Sequence, residues 1–204
     1  MPAIWRPVGD RSGVLRVTQK TPSPPWRALM GLAGQRPQCN VVVHEARPGV
    51  FSDPEGRIVG YWGLAIPAAY ASQHRFTIGG RTLSAWCAWD TLFLPQLLGQ
   101  TAEVESASPA QGGEVRLIVT PEGVEGVDPE HAQMSFILPN APGIQKDVLT
   151  TFCHFVHFFP SRQIGESWTA RHPGTFMLSL DEAHYLARRK NDVQYQRRIV
   201  PPSV

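Results

Sequence analysis

Cysteine is scarce in this sequence, and the three present (Cys39, Cys87 and Cys153) are widely spaced. An odd, sparse set argues against the disulfide framework of a small secreted domain. The absence of any Cys-x-x-Cys removes support for a zinc ribbon or a thioredoxin-like redox motif. Charge of one sign is also lacking: 19 basic and 17 acidic side chains leave a net charge of +2. That balance gives no electrostatic case for nucleic acid or for an anionic membrane surface. There is no apolar run of about 18 residues, so no transmembrane helix is expected. Met1-Pro2-Ala3-Ile4-Trp5-Arg6 lacks the apolar core of a signal peptide. These absences predict a cytoplasmic protein with reduced thiols, either buried and inert or used in chemistry.

With 204 residues, 42% hydrophobic and 18% charged, the chain is long enough for one packed domain, or for a catalytic domain with a small appendage. Residues 1–48 are rich in proline and arginine and show no sustained helical period. Order is expected from Gly49 onward. Asp53-Pro54-Glu55-Gly56 is turn chemistry, and Arg57 to Leu64 is rich in strand formers. His74 to Ile78 reads as a second strand closed by Gly79-Gly80, completing a small antiparallel ribbon.

Leu83 to Leu98 reads as a helix buried nearly all round, with Gly99 as its C-cap and Pro95 expected to kink or shorten its last turn. Short strands follow at Ala102–Ser106, Val115–Thr120, Gly123–Val127 and Gln133–Leu138. Lys146 to Thr151 reads as a short helix, Phe152 to Phe159 as a strand, and Arg162 to Ala170 as a helix. Ser179 and Glu182 have capping-box spacing at the start of a last helix reaching about Tyr195. Strands and helices are segregated rather than alternating, which predicts an α+β fold.

Two short segments could carry chemistry. In Trp86-Cys87-Ala88-Trp89-Asp90, a helix would place Cys87 and Asp90 on one face at i and i+3. A carboxylate in so apolar a helix must be paired or protonated, and a protonated carboxyl beside a thiol is a ready general acid. The same residues also read as architecture, with Cys87 a small core hydrophobe and Asp90 a buried hydrogen-bond partner. In Phe152-Cys153-His154-Phe155-Val156-His157-Phe158-Phe159, a strand would point His154 and His157 to opposite faces, so they would not chelate one metal. A core strand with an incidental cysteine is the alternative. Taken together, Cys87 and Cys153 make a two-coordinate soft-metal site conceivable, one that suits mercury better than four-coordinate zinc. Spacing alone does not bring them together.

At these residues the chain resembles the alkylmercury (organomercurial) lyase family. The similar stretches are Ala85 to Leu92, Val115 to Pro121, Thr151 to Phe159 and Ser179 to Ala183, in register from about residue 57 to 192. The resemblance implies a catalytic set of Cys87, Asp90 and Cys153. Asp90 would help deprotonate a thiol, the two thiolates would bind R–Hg⁺, and the proton on Asp90 would move to carbon as the C–Hg bond breaks. It implies no organic cofactor. Small cytosolic thiols would carry mercury(II) away, with a mercuric reductase as the recipient the resemblance implies. His154 stands where members of the family often carry a second cysteine, and another family cysteine is lacking near Ser108. The implied organisation is a poorly matched arm over 1–48, a ribbon over 49–80 left from a winged-helix-like domain, and an organomercurial-lyase-like catalytic domain over 81–204.

Two other functions compete. A non-catalytic carrier of mercury or copper would need the thiols but not a buried proton donor, so Asp90 favours the enzyme. A transcription regulator built on the winged-helix part would need a recognition helix with clustered Lys or Arg, and none is recognisable.

Overall fold

The computed structural model describes residues 42–43, 50–110, 113–139 and 147–194. Most of the N-terminal arm over 1–48, and with it Cys39, lies outside the described residues, as does Tyr195 at the expected end of the last helix.

Two antiparallel sheets and several helices frame the core, and the segment expected to be a short helix over Lys146 to Thr151 is helical over its described residues 147–151. The strands are β1 (Val42–Val43), β2 (Val50–Ser52), β3 (Ile58–Tyr61), β4 (Leu64–Ala65), β5 (His74–Ile78), β6 (Arg81–Ala85), β7 (Ala102–Ala107), β8 (Glu114–Val119), β9 (Val124–Asp128), β10 (Gln133–Ile137), β11 (Phe158–Phe159) and β12 (Thr175–Ser179). The first nine form one sheet in the order β1-β2-β3-β4-β6-β5-β7-β8-β9, and the others a second in the order β11-β10-β12. Helices α1 (Ala88–Leu98), α2 (Arg162–Thr169) and α3 (Leu180–Gln194) complete the frame.

Alternation explains the large sheet. Phe76 and Ile78 on β5, Val104 on β7, and Val115, Leu117 and Val119 on β8 are buried, while their strand neighbours Arg75, Glu103 and Arg116 are exposed. A sheet with one apolar face must cover it. α1 is itself part of that core, with Ala88 through Pro95 all buried. The Trp89 indole N–H donates to the Ala183 carbonyl at 3.1 Å, and the Asn191 amide donates to the Phe93 carbonyl at 3.0 Å. These two bonds fix α3 against α1.

The mixed, antiparallel architecture expected from sequence is present, but four local expectations are corrected. His74–Ile78 does not form a ribbon with the Arg57–Leu64 segment: it pairs with β6 and β7, whereas β3 pairs with β2 and β4. Leu83, Ser84 and Ala85 are not helical. They belong to β6, which pairs with both β4 and β5, and α1 starts only at Ala88, then runs through Pro95 to Leu98. The strand expected over Arg57 to Leu64 is broken into β3 and β4 by a two-residue turn at Trp62 and Gly63. The strand expected over Phe152 to Phe159 is interrupted by a 3-10 turn, Cys153–Phe155, and only Phe158–Phe159 pair as a strand. The capping box at Ser179 is present: its backbone N–H donates to Glu182 at 2.8 Å, and the Glu182 N–H donates to its hydroxyl at 3.2 Å.

Candidate active site

Cys87, its near neighbour Asp90 and the distant Cys153 converge at the N-terminus of α1. One ligating atom from each of Cys87, Asp90 and Cys153 lies within 4.8 Å of the others, and all three residues are buried. Among the described residues this is the one group of three His, Cys, Asp or Glu side chains placed to hold a metal ion together.

Cys87 is delivered by the end of β6. Trp86 anchors the exit from the strand, edge-on to Phe51 with centroids 5.1 Å apart and with its N–H on the Gly63 carbonyl at 2.8 Å. Cys87 then forms the N-cap of α1 in extended backbone, φ −149° and ψ 171°. Asp90 is the third helical residue, and its carboxylate reaches back to accept the Cys87 N–H at 2.9 Å. This is the returning half of a capping box, which satisfies a backbone donor at the helix start. The thiol therefore sits at the cap rather than on the helix face, yet cap and third residue still meet.

Cys153 opens its 3-10 turn one residue after Phe152, whose ring packs edge-on against Trp89 at 5.9 Å and Phe136 at 5.3 Å. The turn is tied down twice. The Ala88 N–H donates to the Val156 carbonyl at 3.1 Å, and the Ser135 hydroxyl donates to the Phe155 carbonyl at 2.8 Å. The first of these bonds links the segment carrying one sulfur to the segment carrying the other.

Burial dominates the electrostatics. It pushes the Cys87 thiol well above its usual range, reinforced by the hydrogen bond to Cys153 and the negative charge of Asp90. For Cys153 that same hydrogen bond lowers the pKa, but burial and the charges of Asp90 and Asp147 outweigh it, and the thiol is raised. Burial also lifts Asp90 to about 6, against the hydrogen bonds from Cys87 and the positive charge of Lys190. At neutral pH the resting site holds two neutral thiols beside a carboxylate.

Sequence reasoning missed two titratable neighbours. Lys190 on α3 is buried, with its ammonium 3.2 Å from the centroid of the Phe93 ring. Burial lowers it to about 7, while the charges of Asp90 and Cys87 hold it up. Within Arg188-Arg189-Lys190 it reads as part of a solvated face. Its spacing from the buried Ala183 and Ala187 was the available signal. Tyr70, half-buried on the segment after β4, is pushed up to about 12 by burial and by the charges of Cys153, Cys87 and Asp90. Nothing in the pattern around it marks it. His154 and His157 join no metal-holding group among the described residues: the His157 ring meets the His154 carbonyl at 2.7 Å and stacks on His74.

Residues 68–190 match the family of the alkylmercury lyases. An alkylmercury lyase of Bacillus cereus is 38% identical over 146 residues, covering 72% of this chain and 64% of the relative. Its counterpart in Streptomyces lividans is 34% identical over 193 residues, covering 92% of this chain and 81% of the relative. The chain thus spans a little under two-thirds of the Bacillus cereus relative. In fold it is similar to the crystal structure of the mercury-bound form of MerB2, with a TM-score of 0.60 at 22% identity over 72% of this chain and 69% of that one.

Proposed function

Because the chain belongs to the alkylmercury lyase family, we propose that it cleaves carbon–mercury bonds by protonolysis, turning R–Hg⁺ into R–H and mercury(II). The observation that carries this reading is the meeting of two thiols and one carboxyl within 4.8 Å, all three residues buried. Soft thiolates select mercury, and a linear dithiolate is a good resting place for mercury(II).

The steps balance with what the three side chains hold. One thiol exchanges its proton for R–Hg⁺. The second gives its proton to Asp90 and adds its sulfur to the metal, raising electron density on carbon. The proton on Asp90 then passes to carbon, the C–Hg electron pair forms the new C–H bond, and mercury(II) stays on both sulfurs. One thiol proton ends in the hydrocarbon and the other in solvent. No organic cofactor is required by this scheme. Excess small thiols would strip the product ion, and a mercuric reductase is a chemically suitable recipient. Among the described residues no helix is long and apolar enough to cross a membrane. We further read residues 49–80 as the ribbon part of a reduced winged-helix-like domain, a reading supported only over β2 to β4 by their antiparallel pairing.

The test is a headspace assay with methylmercury or phenylmercury and excess thiol. Release of methane or benzene is expected. Tight retention of mercury with no hydrocarbon would instead identify a carrier.

A further inference from the structure

The Asp90 carboxyl is held from two sides by backbone. On one side the Cys87 N–H donates to Oδ2. On the other lies the turn between β3 and β4, where Trp62 (φ 38°) and Gly63 (φ 93°) both adopt positive φ. That combination is the mirror-image turn that joins two strands with the natural twist, and tryptophan is a strained occupant of it. The turn is tied to the site, because the Gly63 carbonyl accepts the N–H of Trp86, the residue before Cys87.

Glycine at 63 meets a second requirement besides its φ. A β-carbon built there would lie 2.7 Å from Asp90 Oδ1, 2.9 Å from Cγ and 3.2 Å from Cβ. The carboxyl occupies the space that a side chain at 63 would fill. Gly56 (φ 79°) and Gly80 (φ 72°) also have positive φ, but a β-carbon at either would meet nothing within 4 Å.

We propose that Gly63 is a positioning residue for the proton donor: its bare α-carbon walls the Asp90 carboxyl against the start of α1 and fixes its plane toward the two sulfurs. This rests on the lyase reading for its consequence and on the contact alone for its mechanism. The three heavy atoms nearest a methyl group at 63 all belong to Asp90, so the carboxyl is displaced first and proton delivery separates from mercury binding.

The experiment compares Gly63→Ala with Gly80→Ala, which carries a like backbone penalty in open space. Gly80→Ala is expected to keep the wild-type hydrocarbon release rate and pH profile. Gly63→Ala is expected to keep binding of one mercury(II) per chain while releasing hydrocarbon slower by on the order of 100-fold, with the acid limb of its pH–rate profile displaced. Equal rates and profiles in the two variants would overturn the proposal. A thermal-melt cycle with Asp90→Ala covers the case in which Gly63→Ala is poorly folded. Removing the Asp90 side chain should restore much of the melting temperature lost through the added methyl, whereas an undiminished loss in that background would overturn the proposal. The cycle reads the contact even if the wild-type protein releases no hydrocarbon, so failure of the lyase reading and failure of this one are distinguishable.

Discussion

The Ala88 N–H donates to the Val156 carbonyl at 3.1 Å, joining the residue after one cysteine to the turn that begins with the other. A helix start has backbone donors without partners in its own helix, and here one is used to seat the 3-10 turn of Cys153. The acid within reach of both sulfurs satisfies another such donor, on Cys87. The capping chemistry of α1 and the assembly of the site are the same set of bonds.

Loss of either sulfur should abolish turnover. Cys87→Ser and Cys153→Ser are each expected to lower hydrocarbon release by at least about 1,000-fold. The double variant should be no worse than either single one, since groups acting as a unit are strongly non-additive. Initial rates of methane release check this.

Asp90→Asn keeps a polar group that can still accept the Cys87 N–H, but cannot carry the proton. It should retain mercury(II) binding while hydrocarbon release falls by roughly 10²- to 10⁴-fold, the usual contribution of a general acid–base group. Equilibrium dialysis beside the headspace assay separates the two effects.

Activity should show an acid limb. Asp90, lifted to about 6 by burial, must be ionised to accept a thiol proton, so kcat/KM should rise with pH through that value and level off above it. Lys190→Met removes a positive charge that favours the ionised carboxyl. The limb should therefore move to higher pH in that variant, and the fold should lose stability, because removing one buried charge leaves the other uncompensated. Paired pH–rate profiles and thermal melts measure both.

Acid should weaken the fold through a different pair. His74 is lowered to about 3 and His157 to about 4, in each case chiefly by burial, and their rings stack with centroids 5.7 Å apart. A depressed pKa means that the folded state resists protonation. The stability involved is present above the ordinary histidine value near 6.5 and is lost as pH falls from there through about 4 for His157 and about 3 for His74. Urea midpoints should decline over that window. His157→Gln should flatten the decline, after allowance for the opposite contribution of Asp90, whose raised pKa favours the folded state at lower pH.

Much of the fold was legible because the signals were local. His74–Ile78 alternates buried and open positions, and Ser179 with Glu182 spells its own cap. The start of α1 was not legible, since cysteine is an unusual N-cap and Leu83 to Ala85 are apolar enough to extend a helix. Their pairing with β4 and β5 is a tertiary effect. The run around Cys153 is aromatic and β-branched, so it reads as a strand; the bonds from Ala88 and Ser135 that bend it come from distant segments. The break at Trp62–Gly63 was hidden for a similar reason, because only its glycine is a turn residue. The three site residues were readable through family resemblance, whereas Lys190 and Gly63 emerge only from packing.

Mercury L-edge X-ray absorption on the protein after one turnover with methylmercury tests the central claim most directly. The account predicts two sulfur neighbours on mercury in the wild-type protein, falling to one protein sulfur in Cys153→Ser. A wild-type spectrum with a single sulfur and the carbon still bound, or two sulfurs that persist when Cys153 is replaced, would contradict it.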